Sequence, residues 1–225
     1  MFGGIRGSAG ASPSLRFPGP FRGGGRDANL KGIMDILATR KITDEKWLNL
    51  YAVDFRHNDH VGRWVYASRR AQPGSATPHA DAVVIAALVR DPAAETRIAV
   101  LREFRIPCGG TIYGLPAGLV DDGEGVESAV RRELAEETGL ELIAVRRVSP
   151  PIFSSCGMTD EAVAVVFADV RQVPGGRPHL EASEEAECLL LDHAGVCRLL
   201  DDPSACFDAK AWFVLDLYRT LGRFE

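Results

Sequence analysis

The segment that most constrains this chain is GLVDDGEGVESAVRRELAEETGL, residues 118–140, where a glycine-rich stretch runs into an acid-rich one. Gly118, Gly123 and Gly125 make its first half a loop whose backbone can approach a ligand closely. The spacing then predicts a helix over 126–138, with Val130 and Leu134 forming an apolar stripe and Gly139 standing where helices commonly stop. Glu133, Glu136 and Glu137 fall three and four residues apart and so share a face. Like charges at this spacing repel by roughly 0.2–0.5 kcal/mol per pair, so something must offset them. Either they are solvated beside Arg131 and Arg132, or they hold a hard divalent cation. Carboxylate oxygens suit Mg²⁺ or Mn²⁺, and the segment carries no imidazole or thiolate that would favour a softer metal.

Around this helix the texture is rich in strands. KWLNLYAVDFR (46–56) alternates apolar and polar residues, 57–62 supplies turn residues, and RWVYASRR (63–70) reads as a returning strand, which predicts a hairpin. AVVIAALV (82–89) and RIAVLREF (97–104) read as buried strands. A short strand is expected at 111–115, further strands at 143–149, 161–169 and 186–192, and helices near 193–201 and 208–222. Strands outnumber helices without alternating strictly with them, so a mixed sheet with flanking helices is expected rather than a parallel doubly wound fold. Three units follow: a Gly/Pro/Arg-rich, disordered leader over 1–33, a β-hairpin element over 34–72, and the main domain over 73–225. The leader reads as a dispensable tail, with Met34 as a candidate initiator, or as a transit peptide.

The 225 residues carry a formal net charge of −5. That balance argues against a general nucleic-acid or membrane-surface binder and for a small partner. Five cysteines without paired spacing suggest neither a disulfide framework nor a zinc site, and fit a reducing cytoplasm. The longest apolar run, 82–89, is too short to span a bilayer as a helix.

The spacing in the acidic segment is that of a known signature. Gly118, five residues, Glu124, seven residues, then Arg132-Glu133-Leu134-Ala135-Glu136-Glu137-Thr138-Gly139-Leu140 resembles the Nudix box at every fixed position. The resemblance implies an α/β/α sandwich around a mixed sheet and metal-dependent hydrolysis of a nucleoside diphosphate linked to another group. It further implies that Glu133, Glu136 and Glu137 hold the divalent ions, that the Ala117 carbonyl adds a ligand, and that Glu124 and Arg132 brace loop against helix. Metal ions at a pyrophosphate neutralise its oxygens and lower the pKa of an attacking water, so no covalent intermediate is required.

LREFRIPCGGTIYGLPAGLVDDGE (101–124) is similar to the ADP-ribose and ADP-sugar pyrophosphatase branch of that family. The similarity reaches Trp47, Trp64 and Arg69 in the front hairpin, which match positions that clamp the nucleotide across a swapped dimer interface. By residue type alone the tryptophans could equally be core or interface groups. Arg69 and Arg105 are candidates for the phosphates, and Tyr113 is expected to serve packing. The catalytic base of this branch lies on a late acidic loop, here EASEEAECLLLD (181–192), making Glu184 or Glu185 the candidate. Cys156 stands where the branch often carries proline, which leaves GDP-mannose or UDP-glucose open as substrates, and a non-catalytic nucleotide sensor as a further reading. A homodimer is expected, because the hairpin has too little apolar material to form its own core.

Overall fold

The computed structural model describes residues 34–74, 79–90, 94–179 and 185–222. The proposed leader (1–33) and Glu184 lie outside the described residues.

The central strands are β4 (Ala82–Val89), β5 (Arg97–Arg105), β8 (Leu140–Val148), β10 (Ala162–Gln172) and β11 (Ala186–Leu191), ordered β11-β5-β4-β10-β8. Short strands β6 (Gly110–Gly114), β7 (Ala117–Leu119) and β9 (Ile152–Phe153) pair with β5, β4 and β10. β10 runs parallel to β4 and antiparallel to β8, so the sheet is mixed, as expected.

Side chains alternate across a strand, and β4 shows the consequence. Val84, Ala86 and Leu88 enter one core with Val163, Val165 and Phe167 of β10. Val83, Ile85, Ala87 and Val89 enter the other with Ala164, Val166 and Val170. The first face is covered by helices α2 (His193–Leu200) and α3 (Ala209–Leu221) through Val196, Ala211, Leu215 and Tyr218. The second is covered by α1 (Val126–Glu133) through Ala129 and Val130, with Leu134 just beyond it. This is the α/β/α sandwich that the resemblance implies. Asp192 and Asp208 cap α2 and α3 with their carboxylates, accepting from Gly195 N at 2.7 Å and Lys210 N at 2.9 Å.

β4 and β5 pair only at Leu88/Ile98 and Val89/Arg97 and then diverge. Beyond that point β6 takes the edge of β5 and β7 takes the edge of β4. The splay opens a cavity in the sheet beside the Ala117–Leu119 strand.

The front element is a three-stranded antiparallel sheet rather than a hairpin: β1 (Asp35–Lys41) joins β2 (Asn49–His57) and β3 (His60–Ser68). Every residue of β1 is exposed, so it carries no buried-face alternation to read. β2 starts at Asn49 rather than Lys46, because the Asn49 side chain bonds both the amide and the carbonyl of Glu45 and folds 45–49 into a turn. The acidic helix is also not uniform: it is α-helical to Glu133 and widens into a π-type turn over Leu134–Thr138. Arg70 anchors the front sheet, donating to Asp81 at 2.7 and 3.1 Å, while Asp81 also accepts the Ala162 amide at 2.8 Å.

Candidate active site

The loop from β7 to α1 holds its shape through Glu124. Gly123 adopts φ 80°, the Glu124 carboxylate accepts the Asp121 amide at 3.1 Å, and Arg132 reaches it with Nε at 3.3 Å and Nη2 at 3.0 Å. The same guanidinium donates from Nη2 to the Leu119 carbonyl at 2.9 Å. Arg132 and the backbone amide of Asp121 hold the Glu124 carboxyl below its usual range, and the neighbouring carboxylates raise Arg132 further above its own. These contacts tie the loop to the helix.

Glu133 points inward and is nearly buried, while Val130 and Leu134 seat the helix on the sheet. Its carboxylate lies over Gly118, where an added Cβ would be 1.8 Å from Oε1. Only glycine fits there. Arg132 Nη1 donates to Glu133 at 2.5 Å and to Glu136 at 3.4 Å. Glu137 accepts the Ala117 amide at 2.9 Å.

Among the described residues no three acidic, histidine or cysteine side chains converge as a ready-made metal cage. The donor set nevertheless fits a hard divalent ion. All the oxygens are carboxylate or carbonyl, and the cationic Arg132 head stands between Glu133 and Glu136, where positive charge is called for. The thiol of Cys188 in β11 is pushed up to about 11, by burial first and by the negative charge of Glu137 second.

The splay cavity, about 410 Å³, is lined by Ala117 and Gly118 together with Arg69 and Arg105. Each arginine is held by an acid, Arg69 by Glu161 at 3.3 Å and Arg105 by Glu103 at 2.7 Å. A third ion pair on the wall, Lys210 with Asp208 at 3.1 Å, comes from the start of α3. Sequence reasoning missed Glu103 and Lys210; Glu103 is flanked in β5 by Arg102 and Arg105, so its charge alone did not single it out.

Neither Trp47 nor Trp64 lines this cavity. Trp47 is 66% exposed, with Lys46 Nζ 4.2 Å over its ring. Trp64 donates from its indole nitrogen to the Gly157 carbonyl at 3.1 Å and lines a separate cavity of about 490 Å³ that also contains Cys156. Tyr113 packs against the core, 5.7 Å from the Phe207 ring. Glu185 is exposed at the start of β11, its carbonyl accepting the Phe104 amide at 3.2 Å.

A mixed-sheet sandwich with a glycine loop leading into a carboxylate-bearing helix defines a class of phosphate-handling hydrolases. The NUDIX domain family matches residues 78–207, more than half of the chain, and the chain belongs to it. A Caenorhabditis elegans protein bearing a nudix hydrolase name is 35% identical over 159 residues, 67% of this chain and 69% of its own length. The ADP-ribose pyrophosphatase of Bacillus subtilis is 26% identical over 179 residues, 80% of this chain and 89% of its own. A solved structure described as an ADP compounds hydrolase shares the fold, with a TM-score of 0.59 at 22% identity, covering 85% of this chain and 97% of that one.

Proposed function

We propose that this protein hydrolyses the pyrophosphate bond of a nucleoside diphosphate sugar, ADP-ribose or another ADP-sugar, giving AMP and a sugar phosphate. The observation that carries the reading is the meeting of the Glu133, Glu136 and Glu137 helix with a cavity that also displays Arg69 and Arg105. The kinship with ADP-ribose pyrophosphatases of Bacillus subtilis and Saccharomyces cerevisiae supports the choice of substrate.

In this reading Glu133, Glu136, Glu137 and the Ala117 carbonyl hold Mg²⁺ or Mn²⁺. When bound, the metal supplies charge neutralisation at the phosphate oxygens and makes water a better nucleophile. Arg105 and Arg69 exchange their carboxylate partners for the diphosphate and orient it. Glu184 or Glu185 receives the proton as water adds to phosphorus and the bridging P–O bond breaks. Glu124 and Arg132 keep the loop in place around the reacting group.

Residues 34–72 act as a dimerisation and nucleotide-clamp element on the hydrolase domain of 73–225. Trp47 and Trp64 reach nucleotide only in a homodimer, a reading supported by the exposed apolar surface of the front sheet. Five free cysteines support a reducing, cytoplasmic setting. No helix among the described residues is long and apolar enough to cross a membrane.

The test is AMP release from ADP-ribose with Mg²⁺, comparing wild type with Glu137→Gln. The expected result is turnover that falls on the order of a hundredfold or more in the variant and stops in chelator. Turnover of GDP-mannose or UDP-glucose at the same rate as ADP-ribose would sink the ADP preference. Nucleotide binding without hydrolysis of any diphosphate would favour a sensor.

A further inference from the structure

We infer that Gly176 and the backbone amide of His179 form a clamp that positions the metal-binding end of the acidic helix. The inference rests on the proposed role of Glu136 and Glu137.

The sheet brings the two segments together. β10 ends with Gln172 paired to Leu140 of β8, so the chain leaving β10 emerges beside Gly139, where the acidic helix stops. It turns at once, the Gly176 amide donating to the Val173 carbonyl at 2.9 Å. Two backbones then cross without room for a side chain on either. A Cβ on Gly176 would lie 2.7 Å from the Gly139 oxygen, and one on Gly139 would lie 2.9 Å from Arg177 N. Backbone on both sides leaves no flexible group to give way.

The π-type turn explains what the crossing is for. Gly139, at φ 67°, sends its amide back to the Ala135 and Leu134 carbonyls, and the Leu140 amide goes to the Thr138 hydroxyl at 3.1 Å. The Glu136 carbonyl thus loses the Leu140 amide that a continuing α-helix would give it. The His179 amide takes that place at 2.7 Å. The residue before Glu137 is therefore fixed from outside the helix, by a turn that lies beyond the signature motif. Gly176 and His179 are positioning residues, acting through the peptide that carries Glu136 and Glu137.

Three variants of the full chain test this: Gly176→Ala, His179→Pro, which removes the amide hydrogen, and His179→Ala, which keeps it. Mn²⁺ binding is read by the electron paramagnetic resonance signal of the free ion, and ADP binding is read calorimetrically on chelator-treated protein. Gly176→Ala and His179→Pro are expected to bind Mn²⁺ about tenfold or more weakly, with ADP affinity unchanged and His179→Ala like wild type. Mn²⁺ affinity equal to wild type in both would overturn the clamp, as would a parallel fall in Mn²⁺ and ADP binding, which marks general loosening. If Gly176→Ala does not fold, the contrast between the two His179 variants decides. Wild-type protein that binds no Mn²⁺ would overturn the metal reading of the helix along with the clamp.

Discussion

The Glu133 carboxylate occupies the space that a side chain on Gly118 would need, with Oε1 1.8 Å and Cδ 2.0 Å from the position of a Cβ there. The first glycine of the motif and its first helical glutamate are thus one steric unit, fifteen residues apart in the chain. Gly118→Ala is expected to lower stability by about 1–3 kcal/mol, the usual cost of overpacking a filled site. It should also displace Glu133 and reduce metal-dependent turnover. Thermal unfolding and AMP release, measured on the same preparation, check both; a variant as stable and active as wild type would refute the steric account.

Arg132 serves Glu124, Glu133, Glu136 and the Leu119 carbonyl from one planar fork. A lysine offers a point charge and cannot reproduce this arrangement. Arg132→Lys should cost about 1.5–3 kcal/mol of stability, the range for hydrogen bonds to charged groups, and should free the 119–124 loop. Faster amide hydrogen exchange confined to that loop is the expected signature. Uniform protection would contradict it.

Because Glu124 is held below its ordinary value of 4.5, first by Arg132 and then by the Asp121 amide, its ionised form is favoured by folding. A depressed carboxylate contributes stability that is fully present above its unfolded pKa and is lost as pH falls through the folded one. Wild type should therefore lose part of its stability as pH falls below about 4.5, and Glu124→Gln should show a shallower acid limb. Melting temperatures across pH 3–7 (roughly the span of the relevant carboxylate titration) would show parallel curves if the pair contributed nothing.

Cys108, Cys156 and Cys206 are exposed, whereas the Cys188 thiol is pushed up to about 11 by burial and by Glu137. With metal removed, iodoacetamide at neutral pH should modify the exposed three and spare Cys188. Peptide mapping reads the sites. Rapid labelling of Cys188 in folded protein would show that β11 is not packed as described.

Ile36 and Trp64 line one cavity of the front sheet and are each more than half exposed, an apolar surface of the kind that marks an interface. Light scattering at micromolar concentration should report a dimer, and Trp64→Glu should shift it toward monomer while raising KM for ADP-ribose. A wild-type monomer with full activity would remove the clamp from the mechanism.

Local pattern was enough for the elements whose signal lies in neighbouring residues. The continuous apolar run of β4, the stripe of Val130 and Leu134, and the stop at Gly139 mark buried strand and helix by periodicity and backbone freedom. The motif spacing marked Glu124 and Arg132, which the fold brings within 3.0 Å. Strand β1 was illegible because all its residues are exposed, and the π-type turn because it arises from where the chain goes after Thr138. The sequence by itself determined that Glu133, Glu136 and Glu137 crowd within about one turn of helix, because residues three and four apart are neighbours on a helix surface. Only the tertiary structure decided which groups meet that face. The divergence of β4 from β5 opens the cavity to Arg69, Arg105 and Lys210, and the pairing of Gln172 with Leu140 delivers Gly176 onto Gly139. Such contacts depend on strand order and register, which join residues far apart in the chain and leave no periodic trace in it.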